Sequence, residues 1–152
     1  MSDLDQMYQQ IILDASRERH GEGHLDDAGG ESFQVNPTCG DQATMRVKLS
    51  SDGSRLEKVA WEGQGCSISQ ASLSIMHDLV EGKTIEEFDE LFDAFRDMMD
   101  QRGLEMDDDL ADLLDDASAF QGVSKFPMRI KCALLGWMAL RDATDQALQD
   151  QQ

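Results

Sequence analysis

Two segments of alternating polar and apolar residues, separated by a short turn, restrict the fold of this chain more than any other feature. The segments are residues 43–49 and 56–61, and the turn between them contains Ser51-Asp52-Gly53-Ser54. Alternation with a period of two places successive side chains on opposite faces of a strand, and an Asp-Gly pair is frequent in hairpin turns. The pattern therefore predicts an antiparallel β-hairpin with one buried face.

Helical patterns flank this hairpin on both sides. Apolar residues recur at intervals of three and four, which is typical of amphipathic helices. At Thr84, Glu87 completes the Thr-x-x-Glu pattern of a capping box, and Pro127 is a residue favoured at the first helical position. The predicted helices cover residues 3–18, residues 67–80, a segment from Thr84, a segment around 110–117 and a segment from Pro127.

The order of these patterns predicts the fold class. Residues 20–38 are rich in glycine and polar residues and predict a long loop before the hairpin. A helix, a hairpin and then several helices indicate an α+β fold with helices packed on a small antiparallel sheet. A length of 152 residues suits one domain, and we find no internal repeat or linker. We therefore expect a single domain over residues 1–152.

The chain is strongly acidic, with 31 acidic and 13 basic residues and a formal charge of −18. This excess argues against binding to nucleic acid or anionic membranes, which attract lysine and arginine. A hydrophobic content of 40% argues against disorder. No apolar run approaches the roughly 20 residues of a membrane span, and the first residues lack the pattern of a secretory signal. We expect a cytoplasmic protein that binds neither nucleic acid nor membrane.

Three cysteines, Cys39, Cys66 and Cys132, cannot all form disulfides within one chain. Without a secretory signal, such thiols are free, bind metal or react. Asp41 follows Cys39 by two residues, so three sulfurs and one carboxylate oxygen could complete a tetrahedral Zn²⁺ site. Thiolate-rich sites also suit iron–sulfur clusters, and three buried core cysteines are the simplest alternative. The spacing alone favours buried core cysteines over a metal site, because the ligands are scattered along the chain.

The cysteines lie in three motifs that resemble those of the IscU/NifU-N iron–sulfur scaffold family. The motifs are Asn36-Pro-Thr-Cys-Gly-Asp41, Gly63-Gln-Gly-Cys-Ser-Ile-Ser-Gln-Ala-Ser72 and Pro127-Met-Arg-Ile-Lys-Cys-Ala-Leu-Leu-Gly-Trp137. Within that family the chain is similar to the SufU-type branch, because Lys131 replaces the histidine that precedes the third cysteine of classical scaffolds. A longer acidic segment between the second and third motifs adds to this similarity.

The resemblance implies a fold, a metal site and a function. The fold would be a small antiparallel three-stranded sheet packed against several helices. The zinc ligands would be Cys39, Asp41, Cys66 and Cys132. The protein would accept persulfide sulfur from a SufS-like cysteine desulfurase and pass it to downstream iron–sulfur assembly proteins. Two alternatives are a scaffold that itself assembles a [2Fe–2S] cluster from iron, which Lys131 disfavours, and a structural zinc module, which the dispersed ligands disfavour.

Further roles follow from this implied site. We expect Cys39 to receive the sulfur, because Gly40 should make its turn more mobile than the helices of the other cysteines. Arg129 and Lys131 would offset the negative charge of the site or support docking of the desulfurase, whereas Lys125 could equally be a solubilising residue. Residues 86–116 hold 14 acidic and 2 basic residues. This acidic segment could orient the partner or form a solvated helix face.

Overall fold

A computed structural model describes residues 3–104 and 106–150 of the chain. Within these residues, three strands follow the first helix and precede the remaining helices, as expected for the α+β class. The elements are α1 (Asp3–Glu18), β1 (Gly30–Asn36), β2 (Asp41–Leu49), β3 (Leu56–Gln64), α2 (Ser67–Val80), α3 (Ile85–Asp100), α4 (Asp108–Leu114), a 3₁₀ helix (Asp115–Lys125) and α5 (Pro127–Asp150).

The predicted hairpin is confirmed as β2 and β3, which pair antiparallel. Asp52 organises the turn between them, because its Oδ1 accepts hydrogen bonds from the Ser54 hydroxyl, the Ser54 amide and the Ser50 hydroxyl. These donors, those of Ser54 first, lower the pKa of the Asp52 carboxyl to about 2. The turn is thus fixed by side chains that lie next to it in sequence.

The prediction that residues 20–38 form a loop is wrong in its second half. Gly30–Asn36 form strand β1, which pairs antiparallel with β2 and completes a sheet of order β1-β2-β3. The inward residues of this strand are small or polar, so the sequence lacks the usual apolar alternation. Ser32 donates a 2.7 Å hydrogen bond to Asp142 of α5. At Gly30 the approach is so close that a Cβ atom would lie 1.8 Å from the carbonyl oxygen of Ala143.

Helices α2 and α5 cover one face of the sheet and create the core. The inward side chains of β2, Ala43, Met45 and Val47, are fully buried. Trp137 of α5 stacks on Phe95 of α3, with ring centroids 4.8 Å apart. This ring contact joins α3 to α5, which itself packs on β1 and β2.

The predicted helices are present, with one correction. The Thr84–Glu87 capping box forms both of its hydrogen bonds at the start of α3. The helix expected around 110–117 ends earlier, at Leu114, because Asp115 adopts a left-handed φ of 50° and the chain continues as the 3₁₀ helix. In the described residues, no helix is both long and apolar enough to cross a membrane.

The register of the sheet brings two of the cysteine motifs to one end. Asn36, the last residue of β1, pairs with Asp41, the first residue of β2. Gln64, the last residue of β3, pairs with Gln42. The turn after β1 and the loop after β3 therefore leave the sheet at the same end of the strands. The turn carries Cys39 and the loop carries Cys66.

Candidate metal centre

The first motif forms a tight turn between β1 and β2. The amide of Gly40 donates a 2.9 Å hydrogen bond to the carbonyl oxygen of Asn36, and Gly40 takes a left-handed φ of 74° that favours glycine. Cys39 is exposed on this turn. Asp41 is fully buried at the start of β2, so its carboxylate lies beneath the exposed thiol rather than in solvent.

The second motif presents its cysteine at the start of a helix. Cys66 is the N-cap of α2, with an extended main chain and an exposed side chain. Its amide donates a 2.8 Å hydrogen bond to Oδ1 of Asp41, and its Sγ lies 3.8 Å from Oδ2 of the same carboxylate. A Cβ atom on Gly65 would lie 2.2 Å from Oδ1 of Asp41, so only glycine leaves room for the carboxylate here.

The third motif contributes a buried thiol from the second turn of α5. Cys132 is only 2% exposed, unlike the other two cysteines. Asn36 directs its Nδ2 at the Cys132 sulfur, 3.8 Å away. Burial, followed by hydrogen bonds with Asp41, Cys39 and Cys66, raises the pKa of the Cys132 thiol. At neutral pH, burial therefore favours the protonated form of this thiol.

The four residues that the sequence singled out meet at this point. One ligand atom from each of Cys39, Asp41 and Cys132 lies within 4.8 Å of the other two, and Cys66 contacts the same carboxylate. Three sulfurs and one carboxylate oxygen form a donor set that suits Zn²⁺ or an iron–sulfur cluster. The geometry therefore fits a thiophilic metal and does not choose between these two.

Three basic residues lie near the third cysteine, namely Lys125, Arg129 and Lys131. All three are exposed, and none of them forms an ion pair within residues 3–104 and 106–150. The guanidinium of Arg129 lies over the ring of Phe126, 4.7 Å from its centroid. Lys125 and Arg129 line an apolar groove of about 540 Å³ next to the second motif, where Ile68 also contributes. Lys131 directly precedes Cys132 on α5.

Two further residues, Asn36 and Gly65, shape this site, although the sequence alone predicts no role for either of them. Asn36 belongs to the first motif, and its buried amide faces Cys132 across 96 positions of sequence. Gly65 belongs to the second motif, and its missing side chain makes space for Asp41. Their positions within the motifs were visible signals, but their partners lie far away in sequence and only the fold reveals them.

A comparison with protein families matches residues 7–133 to the NifU-like N-terminal domain. The chain belongs to this family. It is 45% identical over 139 residues to "Zinc-dependent sulfurtransferase SufU" of Bacillus subtilis, and the alignment covers 91% of this chain and 90% of the relative. It is also 40% identical over 144 residues to "Iron-sulfur cluster assembly scaffold protein IscU" of Streptococcus pyogenes, and this alignment covers 94% of this chain and 86% of the relative.

Solved structures agree with this assignment. The crystal structure of FiSufU, a protein of the SUF system from Fervidobacterium islandicum, superposes with a TM-score of 0.77 at 33% identity, covering 91% of this chain and 97% of the other. The N-terminal part of a NifU-like protein from Brucella abortus superposes with a TM-score of 0.82 at 26% identity, covering 97% and 99%. The expected fold class and the resemblance to SufU-type proteins are therefore confirmed.

Proposed function

We propose that this protein accepts persulfide sulfur from a cysteine desulfurase for iron–sulfur cluster assembly, with Zn²⁺ held by Cys39, Asp41, Cys66 and Cys132. The proposal rests on the observation that three thiols and one buried carboxylate lie close together at one end of the sheet. The 45% identity to a relative named as a zinc-dependent sulfurtransferase supports it. Bound Zn²⁺ would keep the thiols deprotonated and, being redox-inert, would not oxidise them.

The charge of such a site needs compensation. Three thiolates and one carboxylate around Zn²⁺ leave a net charge of about −2, which is costly to bury without donors or cations. The amide of Cys66 donates to Asp41, and the Asn36 amide faces the Cys132 sulfur. We assign the remaining compensation, and contacts with the desulfurase, to Arg129 and Lys131, which are exposed beside the third cysteine.

Cys39 is the cysteine best placed to receive sulfur. It is exposed on a short turn, whereas Cys132 is buried within a helix and the amide of Cys66 is tied to Asp41. The Cys39 thiolate would attack the outer sulfur of the partner's persulfide. A new S–S bond forms on Cys39 as the original S–S bond breaks, and the desulfurase cysteine leaves as a thiolate. No external oxidant or reductant is required.

Intact-mass measurement tests this function. The zinc-loaded protein is incubated with a SufS-like desulfurase and cysteine, and we expect an adduct of about 32 Da that maps to Cys39 and disappears with a reducing thiol. The Cys39→Ser variant should remain folded by circular dichroism and lose the adduct. A variant that still acquires the sulfur would overturn the assignment of Cys39. A wild-type protein without any adduct would overturn the transfer function itself.

A second candidate is a scaffold that assembles a [2Fe–2S] cluster on the same residues. The 40% identity to a relative named as an IscU scaffold favours it, and the donor set accommodates either metal. Anaerobic incubation with ferrous iron, cysteine and desulfurase separates the two functions, because cysteine supplies the sulfur for either product. A coloured protein with stoichiometric iron and sulfide supports the scaffold, whereas a colourless zinc protein that carries persulfide supports sulfur acceptance.

A further inference from the structure

Arg19 lies at the junction of three elements, away from the cysteine motifs in sequence. It follows the last residue of α1, and its amide still bonds the carbonyl oxygen of Ala15. Its main chain adopts a left-handed φ of 49°, which is uncommon for a residue with a side chain. This conformation ends the helix, and the side chain lies against β3 and α2.

The guanidinium of Arg19 contacts both ends of the segment that carries Cys66. Its Nη2 donates a 3.0 Å hydrogen bond to the carbonyl oxygen of Gly63, three residues before the cysteine. Its Nη1 donates a 2.5 Å hydrogen bond to Oε1 of Gln70, four residues after it. The planar fork of arginine suits two such acceptors, and the single ammonium of lysine cannot reproduce this geometry.

Gln70 continues this connection to the main chain of the cysteine. The side chain of Gln70 is only 5% exposed, and its Nε2 donates a 3.2 Å hydrogen bond to Oγ of Ser69. Ser69 in turn donates a 3.0 Å hydrogen bond to the carbonyl oxygen of Cys66. A continuous series of hydrogen bonds thus leads from Arg19 to the cysteine itself.

The same region of chain is anchored to β3 without the guanidinium. The indole nitrogen of Trp61 donates a 2.7 Å hydrogen bond to the carbonyl oxygen of His20. The amide of Trp61 bonds the Gly21 carbonyl, and the amide of Gly23 bonds the Trp61 carbonyl. The guanidinium of Arg19 also pairs with Glu22 and lies over the ring of Trp61, 4.8 Å from its centroid. These contacts fix the segment after α1, whereas the two bonds from Arg19 to Gly63 and Gln70 act on the loop before α2, and only the bond to Gln70 is lost when Gln70 is replaced.

We propose that Arg19 is a positioning residue for Cys66, acting through Gly63 on one side and through Gln70 and Ser69 on the other. It restrains the loop that carries the cysteine and so sets the geometry with which Cys66 meets Asp41. This role rests on the proposed metal site but not on sulfur transfer. Residues that orient metal ligands affect affinity strongly, typically by 10- to 100-fold.

Site-resolved alkylation and zinc competition test this role. In Arg19→Gln, we expect zinc affinity to fall about tenfold and Cys66 in the zinc-loaded protein to react several-fold faster with iodoacetamide, relative to Cys39 and Cys132. Gln70→Leu keeps the arginine but removes its acceptor, and it should produce the same selective change. Arg17→Gln is the matched control, because Arg17 is also a basic residue near the end of α1 but forms no such bonds to the loop.

The pattern of reactivity separates positioning from general stability. Equal acceleration of all three cysteines, together with a lower unfolding midpoint, would show that Arg19 only stabilises the fold. Unchanged zinc affinity and reactivity in both Arg19→Gln and Gln70→Leu would also overturn the proposal. If Arg19→Gln fails to fold, Gln70→Leu alone decides. Both readouts are measured without desulfurase, so failure of the transfer function leaves this test intact.

Discussion

The amide of Cys66 donates a 2.8 Å hydrogen bond to Oδ1 of Asp41, across 25 positions of sequence. This bond joins the loop after β3 to the first residue of β2. The second carboxylate oxygen, Oδ2, lies 3.8 Å from the Cys66 sulfur and remains directed toward the thiols. Asp41 therefore braces the second motif with one oxygen while the other is available to a metal.

Substitution of Asp41 should separate these two effects. Asp41→Asn retains an oxygen that can accept the Cys66 amide, so stability should change little while zinc affinity falls through loss of the charged ligand. Asp41→Ala removes the acceptor as well, and loss of a hydrogen bond to a charged group costs about 1.5–3 kcal/mol. Urea unfolding and zinc competition with a chelator measure the two quantities. Equal loss of stability in both variants would contradict the bracing role.

Gly65→Ala should disrupt the hydrogen bond between Asp41 and the Cys66 amide through a change on the loop and not on Asp41. The new Cβ atom would meet Oδ1 of Asp41 at 2.2 Å and Oγ of Ser69 at 2.7 Å, so the carboxylate or the loop must shift. We expect weaker zinc binding and a lower unfolding midpoint. Gly122→Ala is the matched control, because no atom lies within 4 Å of the position where its Cβ would be placed. Similar effects of both substitutions would show that the close approach is unimportant.

The elements fixed by local chemistry were predictable from the sequence, and those fixed by distant contacts were not. Helix α2 spans Ser67–Val80 as predicted, because the glycines before and after it mark its ends. Strand β1 was not predicted because its inward residues are small or polar and pack against α5, more than 100 positions away in sequence. At the candidate site, the motifs contained all four proposed ligands. The bond between Arg19 and Gln70 links positions 51 apart and leaves no local pattern.

His20 should make stability depend on pH. Its Nδ1 lies 2.5 Å from Asp78 and its Nε2 lies 2.8 Å from Glu18, and the hydrogen bond to Asp78 is the main cause that raises the His20 pKa above 6.5. Asp116 belongs to the same acidic group, and burial followed by neighbouring carboxylates raises its pKa. Because the pKa of His20 is higher in the folded state, protonation of His20 stabilises the fold. This stabilisation is complete below pH 6.5 and is lost as the pH rises through the pKa of His20 in the folded protein.

The comparison of wild type with His20→Gln measures this contribution. We expect the wild type to exceed the variant in thermal midpoint by the largest margin below about pH 6.5, with the difference shrinking toward alkaline pH. The difference should be small and should decrease with salt, because the groups are largely exposed. A difference that does not vary with pH would show that the histidine acts through packing instead.

The acidic segment of residues 86–116 should control the salt dependence of sulfur transfer, if it orients the desulfurase. Asp97 and Asp112 are exposed on the last turns of α3 and α4. Lysine at the C-terminal end of a helix interacts favourably with the helix dipole. The double variant Asp97→Lys/Asp112→Lys should therefore fold normally. Attraction between exposed charges is screened at high salt. Reversal should therefore slow transfer at low ionic strength and flatten its dependence on salt.

A second double variant provides the control for net charge. Asp145→Lys/Asp150→Lys changes the total charge by the same amount near the C-terminal end of α5, outside the acidic segment. If the segment orients the partner, only reversal at Asp97 and Asp112 should alter the salt dependence of the transfer rate, because steering depends on where charge lies relative to the docking face. Equal changes in both double variants would assign the effect to net charge alone. No change in either would make the segment a solvated surface.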